Sequence, residues 1–406
     1  MSHLATTNPT FQTAAPRVFA PASGPYDAPP SWPMRVYKLL ARPVHFLAWR
    51  FKVLELAVAF IERELRSGEK VPARVRPWLL SRGFLRGAWV IYDLANNDPD
   101  LYITDYERYT RTRLINGPHA VVLDDKFLFY RLFDGPLSKY VPPVFGTLSG
   151  TRVIPVNCLD EPVEIKDILE RQRRLAVKPC GGGGGAGFSS LTIDKDGVVS
   201  DNGNVLGPEG LAQFAGWHAG HLVCGFVKQH PAISAIYPRT TNTMRILIMQ
   251  DEQDAPFIAA ATLRLGSSTS GPTDRVDGGG YCAEIDIETG RLGKGVQVNG
   301  DRLTWHTHHG DTGAQIEGFE IPHWQQIQSE LRAVMGRHRF LRYVGWDVVV
   351  TEDGFSILEG NNFSGLRYLQ VHRPMLSNPR VAAFYLRHGV LKGPRRRKFA
   401  RAACVA

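Results

Sequence analysis

The chain has 406 residues, 43% of them hydrophobic, which is enough for two or three domains with buried cores. Its formal net charge is +9, and its most apolar stretch, residues 44–61, is interrupted by Arg50, Lys52 and Glu55, which argues against a transmembrane helix. Five cysteines without paired spacing argue against a disulfide framework and predict a reducing, cytoplasmic setting.

The N-terminal third predicts a tail followed by helices. Residues 1–33 are rich in Ala, Pro, Ser and Thr without a central apolar run, which predicts a disordered tail rather than a signal peptide. Residues 34–117 predict a mainly helical N-terminal domain, with a linker at 96–100. Zinc-finger, RRM and KH signatures are missing from the sequence, so we expect no nucleic-acid partner.

Basic residues concentrate in two places. One is the helical stretch 35–86, where they alternate with apolar residues, and the other is a basic tail over 392–406. A helical domain that buries an apolar stripe and solvates its charges explains the first pattern. Peripheral contact with an anionic membrane surface is the alternative interpretation.

The region 118–228 contains a glycine-rich loop between two predicted strands. A charged helix over 163–174 precedes a strand that ends at Lys178, and residues 189–194 read as another strand beyond glycines 181–185 and 187. Glycine lets backbone N–H groups approach a phosphate closely, and a lysine adds a point charge. Because no Gly-Lys-Ser/Thr follows, the loop is not a P-loop. We expect a flap over a nucleotide, with a flexible linker as the alternative.

The region 229–391 predicts a second set of strands, at 243–250, 257–265, 281–287 and 343–350, with a helix over 321–338 that holds Pro322 in its first turn. Between Arg264 and Tyr281 the polar loop is long enough for a substrate lid, and Arg264, Arg275 and Asp277 are its candidate contacts. A mobile surface loop is equally compatible with this composition. His306 and His308 share a strand face, but two ligands are too few for zinc.

Two apolar runs near the C-terminus, 348–350 and 355–358, predict a hairpin with polar residues at its mouth. If Gly354 takes the left-handed position of a three-residue loop, Thr351 faces Phe355 and Asp347 faces Glu359. Asn361 then shares a strand face with Glu359. Two carboxylates and an amide oxygen are ligands suited to Mg²⁺, although an ordinary hairpin would show the same residues.

In combination, these segments resemble the ATP-grasp superfamily, and specifically its sugar-transfer associated branch, over roughly residues 118–391. Asp125-Lys126-Phe127 is similar to the first-lysine segment of that family, and Lys178 to its second lysine. Asn242-Thr243-Met244-Arg245 is similar to its Asn-Thr-x-Arg strand. Asp347, Glu359 and Asn361 match its metal ligands in order and spacing.

The resemblance implies an α+β ATP-grasp fold in which two lobes, about 118–228 and 229–391, sandwich ATP. The implied cofactors are ATP and Mg²⁺. Each candidate residue then has an expected role: nucleotide binding by Lys126, Lys178, Gly182, Gly183, Gly184, Phe226 and Val227; catalysis by Arg245, Lys178 and Arg264; and Mg²⁺ binding by Asp347, Glu359 and Asn361.

The activity implied by the resemblance is that of an ATP-dependent carboxylate-amine ligase, which activates a carboxylate as an acyl phosphate and joins it to an amine. The expected substrates are small molecules, sugar-linked according to the family label, and the expected process is polysaccharide or peptide-conjugate synthesis. A kinase on the same scaffold and a catalytically inactive nucleotide-binding scaffold are the alternatives. The hinge segment 222–230 departs from the family because it lacks a glutamate near Cys224 and Gly225, which removes an acceptor for the ribose hydroxyls. Cys224 itself reads as a buried apolar residue rather than a nucleophile. No oligomeric state follows from this sequence.

Overall fold

The computed structural model describes residues 32–66, 68–133, 135–157, 160–185, 187–207, 209–299, 302–392 and 399. Most of the two predicted tails therefore lies outside the described residues. The chain divides into two compact units, Met1–Glu55 and Leu56–Ala406. In the first unit the described residues belong to one helix, in which Lys52 Nζ lies 2.8 Å from Glu55 Oε2. The second unit holds the two sheets and the remaining helices.

The described α-helices are numbered in chain order. They are α1 Trp32–Arg66, α2 Val75–Arg82, α3 Gly87–Ile91, α4 Asp105–Thr110, α5 Val121–Asp124, α6 Lys126–Leu132, α7 Ile165–Gln172, α8 Gly210–Trp217, α9 Pro231–Ile236, α10 Trp324–Arg337, α11 Arg367–Gln370 and α12 Pro379–Arg387. Short 3-10 helices lie at Pro99–Leu101, Thr112–Leu114, Gly117–Ala120, Gly135–Tyr140, Val276–Gly278 and Met375–Ser377. None of the described helices is long and apolar enough to cross a lipid bilayer.

The strands form two antiparallel sheets. The N-terminal sheet has the order β3-β2-β1-β8-β4-β5-β6-β7, and the C-terminal sheet has the order β13-β12-β11-β10-β9-β14-β15. Their bounds are β1 Val144–Ser149, β2 Arg152–Ile154, β3 Val163–Glu164, β4 Arg174–Lys178, β5 Ser189–Ile193, β6 Val199–Asp201, β7 Asn204–Val205, β8 Leu222–Gly225, β9 Met244–Gln250, β10 Pro256–Leu265, β11 Tyr281–Ile285, β12 Leu292–Asn299, β13 Arg302–His306, β14 Tyr343–Thr351 and β15 Gly354–Asn361.

Alternation along β4 gives the N-terminal sheet two different faces. Leu175 and Val177 are fully buried in a core that includes side chains of α7 and α8. Ala176 and Lys178 point to the opposite face, because successive strand residues alternate, and both line a large cleft. One face of the sheet therefore stabilises the lobe while the other presents the lysine at the end of β4.

The central strand of the C-terminal sheet is buried on both faces. In β9, Ile246 and Ile248 belong to one apolar core, whereas Leu247 and Met249 belong to another. Helix α10 contributes to the first core and α12 to the second. Burial on both faces explains why this strand reads as a nearly continuous apolar run. Its charged exception is Arg245, which therefore needs a partner within the fold.

The helices predicted for the N-terminal region occur as α1–α4. Residues of α2, α3 and the turn between them form an apolar cluster with the C-terminal sheet. Leu79 and Phe84 are almost completely buried there, together with Cys282 of β11 and Val296 of β12. In the second unit, the helical segment thus packs directly on the C-terminal sheet.

The structure confirms the strands predicted at 189–194, 243–250, 257–265, 281–287 and 343–350 to within two residues at each end. The strand predicted from the run 355–358 is longer, Gly354–Asn361, and the helix predicted over 163–174 is shorter, because Val163–Glu164 form β3 and α7 is Ile165–Gln172. Two further local predictions are corrected. Pro322 does not lie in the first turn of its helix, because α10 begins at Trp324 and His323 precedes it at a φ of 59°. The pairing of Thr351 with Phe355 is also wrong. Thr351 pairs with Gly354 and Val350 with Phe355, so the hairpin loop has two residues rather than three.

The predicted pairing of Asp347 with Glu359 is nevertheless confirmed, for a different physical reason. The register shifts between Asp347 and Val348, which pair with Glu359 and Ile357 respectively. Leu358 is the extra residue of this β-bulge. A bulge of one residue compensates for the shorter loop and returns Glu359 to the position opposite Asp347.

Substitution of Gly360 by alanine is expected to destabilise the fold by about 1–3 kcal/mol, because the added methyl group overpacks a filled core. An alanine Cβ would lie 2.8 Å from Leu123 Cδ2 and 3.0 Å from Phe129 Cε2. Gly216→Ala is the matched control, since nothing lies within 4 Å of its Cβ and helix α8 favours alanine. Urea denaturation measures both variants, and equal midpoints for the two would contradict the expected overpacking.

Candidate active site

A cleft of about 1240 Å³ lies between the two sheets. Strands β4, β5 and β8 supply residues from the N-terminal sheet, and β9, β10, β14 and β15 supply residues from the C-terminal sheet. Among the described residues, the cleft is lined by eight cationic side chains and four carboxylates. The cations are Lys126, Arg174, Lys178, Lys228, Arg239, Arg245, Arg264 and Arg275, and the carboxylates are Asp274, Asp277, Asp347 and Glu359. This excess of positive charge favours a polyanionic ligand.

Residues predicted from distant parts of the sequence meet in this cleft. Its lining includes every predicted nucleotide-binding and catalytic residue and two of the three predicted metal ligands, namely Lys126, Lys178, Gly182, Gly183, Gly184, Phe226, Val227, Arg245, Arg264, Asp347 and Glu359. Asn361 is not part of the lining. Its side-chain amide nitrogen donates to the Gly345 carbonyl at 3.1 Å, which leaves its carbonyl oxygen as the group available to a ligand.

Lys178 is held at the end of β4 by the bulge in β15. Its Nζ lies 2.6 Å from the Tyr130 hydroxyl and 3.3 Å from the Leu358 carbonyl oxygen. The Tyr130 hydroxyl donates to the same carbonyl at 2.8 Å. The extra residue of the bulge therefore provides the acceptor that orients both side chains. Lys178 has no carboxylate partner within 4.0 Å among the described residues, so its charge is available to an anion.

Lys126 connects the glycine loop to β15. Its Nζ donates to the Gly182 carbonyl at 2.9 Å and lies 3.3 Å from Glu359 Oε2. Its backbone N–H donates to the Cys180 carbonyl at 2.8 Å. Gly182 and Gly184 have φ values of 85° and 71°, a conformation that favours glycine. The glycine composition of this loop therefore matches its backbone conformation. The loop presents no Cβ atoms to the cleft at its glycine positions.

Two arginines hold Asp347 in its ionised form. Arg245, opposite it on β9, pairs with both carboxylate oxygens, and Arg264 Nη2 lies 3.1 Å from Oδ2. Burial opposes ionisation of Asp347, but attraction to the two guanidinium groups outweighs burial and lowers the pKa to about 2. Burial opposes the charge of Arg264, but attraction to Asp274, Asp347 and Glu359 outweighs burial and raises its pKa.

The donor set at the hairpin consists of Asp347, Glu359 and the Asn361 carbonyl. The carboxylates are each already paired with cations of the cleft. Among the described residues no group of three or more His, Cys, Asp or Glu side chains has the geometry of a metal site. For His306 and His308, the structure shows hydrogen bonds to nearby threonine hydroxyls.

The hinge places an aromatic ring and a guanidinium at one end of the cleft. Arg174 lies over the ring of Phe226, with its Cζ 3.6 Å from the ring centroid. Val227 and Lys228 follow Phe226 in the lining. Cys224 is fully buried, and burial raises the pKa of its thiol, as expected for an apolar core position. Arg174 was missed in the sequence because it precedes the apolar part of its strand.

The loop between β10 and β11 contributes Asp274, which the sequence did not single out. Asp274 Oδ2 accepts from the Thr243 backbone N–H at 2.9 Å and lies 3.4 Å from Arg264 Nε. Arg275 and Asp277, which were predicted, also line the cleft. Asp277 accepts a hydrogen bond from the Tyr368 hydroxyl at 2.5 Å. In the sequence, the polar composition of the loop was the available signal of a functional segment. The contacts of Asp274 with Thr243 and Arg264 become visible only in the fold.

Taken together, the cleft has a lysine-supported glycine loop on one side and an arginine–carboxylate cluster on the other. Residues 106–381 match the model of the sugar-transfer associated ATP-grasp family. The chain belongs to this family. The match covers both sheets and their connections, and it includes every residue predicted for the site.

Several solved structures are similar to this ATP-grasp chain. The ATP-grasp ligase PsnB, complexed with a phosphomimetic variant of its minimal precursor, Mg and ADP, is 13% identical over 64% of this chain and 56% of its own, with a TM-score of 0.31. D-alanyl-alanine synthetase A from Vibrio cholerae O1 biovar eltor is 12% identical over 71% and 66%, with a TM-score of 0.36. Biotin carboxylase from Campylobacter jejuni is 9% identical over 73% and 50%, with a TM-score of 0.38.

The chain spans a little over half the length of the PsnB chains that it matches. A comparison with curated proteins gave no match.

Proposed function

We propose that this protein is an ATP-dependent carboxylate-amine ligase that activates a carboxylate as an acyl phosphate. The observation that carries the proposal is the meeting of two lysines, two arginines and two carboxylates in one cleft between two sheets. Such an arrangement supports phosphoryl transfer, which depends on positioning and electrostatic stabilisation more than on a protein nucleophile. The ligases among the similar structures are compatible with it.

ATP is the nucleotide substrate in this proposal. The glycine loop, Lys126 and Lys178 would hold the phosphates through backbone N–H groups and two ammonium charges. Phe226 and Val227 at the hinge would contact the base. Arg174, stacked on Phe226, provides a donor near this end of the cleft, where the expected hinge glutamate is missing.

The donor set at the hairpin fits magnesium by its chemistry. Asp347, Glu359 and the Asn361 carbonyl are hard oxygen ligands, and Mg²⁺ is commonly bound through one or two carboxylates plus phosphates. When bound, the metal would neutralise phosphate charge and orient the transferring group. Asp347 accepts three hydrogen bonds from Arg245 and Arg264, so a bound metal would use its remaining acceptor capacity or displace an arginine, and a displaced guanidinium group would be free for the reacting phosphate.

The proposed chemistry has two steps. A substrate carboxylate oxygen attacks the γ-phosphorus of ATP, forming an O–P bond as the bond to the ADP oxygen breaks. An amine nitrogen then attacks the acyl carbon, forming the C–N bond as the C–O bond to phosphate breaks, and the amine releases its proton to solvent. Lys178, Arg245 and Arg264 would offset the negative charge that otherwise repels the attacking carboxylate.

We extend this proposal to the chemical class of the substrates. Small-molecule carboxylates and amines suit a cleft of this size, and the description of the family makes sugar-linked substrates the first to test.

The decisive experiment incubates the protein with Mg-ATP, candidate carboxylates and candidate amines, and identifies the products by mass spectrometry. Formation of an amide together with ADP and inorganic phosphate is the expected result. A phosphorylated hydroxyl product would instead indicate a kinase. Calorimetry that detects no Mg-ATP binding at millimolar nucleotide would reject both and favour an inactive scaffold.

A further inference from the structure

A second cavity of about 250 Å³ adjoins the cleft on the side of the N-terminal helices. We name it the annex. Its walls come from α1, α4, the residues on either side of α3 and the segment that follows β15, and they include the aromatic rings of Tyr92, Tyr109 and Phe363. Asp277 and Tyr368 line both the annex and the cleft. The two spaces therefore meet at the hydrogen-bonded pair formed by these residues.

The annex also lies next to the reacting end of the cleft. Gly365 lines the annex, and a Cβ at this position would lie 3.8 Å from Arg245 Nη1. The segment that carries Gly365 follows directly from the strand of Glu359 and Asn361. A small molecule in the annex would thus have one end within reach of the Arg245–Asp347 cluster.

Two arginines of the annex have no carboxylate within 4.0 Å among the described residues. Arg108 donates to the backbone carbonyls of Ser364 and Phe363 at 2.8 and 3.3 Å and lies 3.8 Å from the Phe363 ring centroid. Burial lowers the pKa of Arg108, as expected for a cation that lacks a close counter-ion. Arg63 is exposed and forms no ion pair with a described residue. By contrast, Arg367 lies 3.5 Å from Glu69 Oε1.

Two carboxylates balance these arginines. Asp105 Oδ2 accepts a hydrogen bond from the Leu85 backbone N–H at 2.9 Å, and Asp277 accepts one from Tyr368. Both retain acceptor capacity, since an ionised carboxylate has about four lone-pair sites. The annex therefore presents three cationic side chains and two carboxylates, and Glu69, outside its lining, lies beside the third cation, Arg367. This balance suits a zwitterion better than a simple anion or cation.

We propose that the annex binds the amine substrate, and that this substrate is a small amino acid. This inference rests on the proposed ligase function. The ammonium group would lie toward Asp277, at the junction with the cleft where the acyl phosphate forms. The carboxylate would lie toward Arg63 and Arg108, which do not line the cleft. A volume of about 250 Å³, near the lower end of ligand pockets, excludes a polymer from the annex itself.

The test is calorimetric binding of the common L-amino acids to the full-length protein, with and without Mg-ADP. Alkylamines and alkanoates of matched size serve as probes that lack one of the two charges. We expect at least one amino acid to bind at millimolar concentration or below, and the matched amine and acid to bind at least tenfold more weakly, because each loses a charge-assisted hydrogen bond.

Arg63→Gln is the diagnostic variant, and Arg66→Gln is its control on the same helix. Arg66 pairs with Glu62 and does not line the annex. Loss of about tenfold in amino-acid affinity is expected for Arg63→Gln and none for Arg66→Gln. Asp277→Asn tests the proposed contact with the ammonium group. The affinity of this variant for the amino acid should fall to about the affinity of wild type for the matched alkanoate, which has no ammonium group. Mg-ADP binding by the same samples reports whether the cleft is intact.

The outcomes separate this inference from the proposed function. Two results would overturn amino-acid binding in the annex while supporting the nucleotide site. One is Mg-ADP binding without amino-acid binding, and the other is equal amino-acid affinity in Arg63→Gln and wild type. Amino-acid binding that is sensitive to Arg63→Gln but unaccompanied by any nucleotide binding supports the annex and rejects the ligase.

Discussion

Replacing Lys178 with alanine is expected to weaken Mg-ATP binding by roughly 10- to 100-fold, because a charge-assisted hydrogen bond contributes about 1.5–3 kcal/mol. Lys178 is suited to this role since it has a neutral hydroxyl and a carbonyl as its neighbours rather than a carboxylate. Its ammonium group is thus positioned without being neutralised. Isothermal titration calorimetry of the variant and wild type measures the difference.

The loss should reflect the missing charge rather than a collapsed site. In Lys178→Ala the Tyr130 hydroxyl can still donate to the Leu358 carbonyl, so the bulge that shapes this wall of the cleft keeps its contact. Lys195→Ala is the matched control, because Lys195 is an exposed lysine of the same lobe and does not line the cleft. Affinity of Lys178→Ala within twofold of the control would rule out phosphate binding by this lysine.

The sequence predicts seven of the fifteen described strands, namely β4, β5, β9, β10, β11, β14 and β15, because each is a short apolar run with a clear end. In β4 and β5 the runs are separated by glycines, and in β9 the run is uninterrupted except for Arg245. The family motifs then assign a place to each charged residue within these runs. This combination of local pattern and motif order is why the cleft collects nearly all the predicted site residues.

The β-bulge at Leu358 was not predictable from the hairpin alone. A two-residue loop alone would place Asp347 out of register with Glu359, and the bulge that restores the register has its Leu358 carbonyl hydrogen-bonded by Tyr130 and Lys178. These contacts join residues that are distant in sequence. The prediction of Asp347 opposite Glu359 was therefore right for a reason that the local sequence does not contain.

The pairing of Asp347 with the two arginines likewise depends on contacts between residues that are distant in sequence. The motif spacing assigns Asp347 to metal binding, and nothing in the local sequence indicates that Arg245 and Arg264 neutralise it in the ligand-free protein. They reach it because β9 lies between β10 and β14 in the sheet, an order that sequence proximity does not give. Asp274 and the annex were likewise visible only once the loop and the N-terminal helices were placed.

Substitution of Asp347 by alanine is expected to lower the free energy of unfolding of the nucleotide-free protein by about 3 kcal/mol or more, because it leaves a largely buried cation without its counter-ion. The exposed fractions of the Asp347 and Arg245 side chains are 8% and 13%. Arg264 keeps Asp274 at 3.4 Å after the change, so the cost falls mainly on Arg245. Urea denaturation of the apoprotein measures this cost.

A matched control and a double variant make this expectation specific. Asp254→Asn removes the charged partner of Arg342 in a pair whose side chains are about one-third exposed, and it should cost less than about 1 kcal/mol, since asparagine tolerates the φ of 57° at this position. Adding Arg245→Met to Asp347→Ala should recover part of the lost stability, because the uncompensated charge is then removed. If Asp347→Ala proves no more costly than Asp254→Asn, the arginine–carboxylate cluster does not stabilise the apoprotein.

The same substitution separates two roles of one carboxylate. Before nucleotide binds, Asp347 is the counter-ion of Arg245 and Arg264, and its low pKa keeps it ionised across the physiological range. In the proposed complex it turns to the metal, and the two arginines turn to the phosphate. The double variant Asp347→Ala with Arg245→Met should therefore regain stability without regaining magnesium-dependent nucleotide binding. Recovery of both together would show that Asp347 acts only through the arginines and is not a metal ligand.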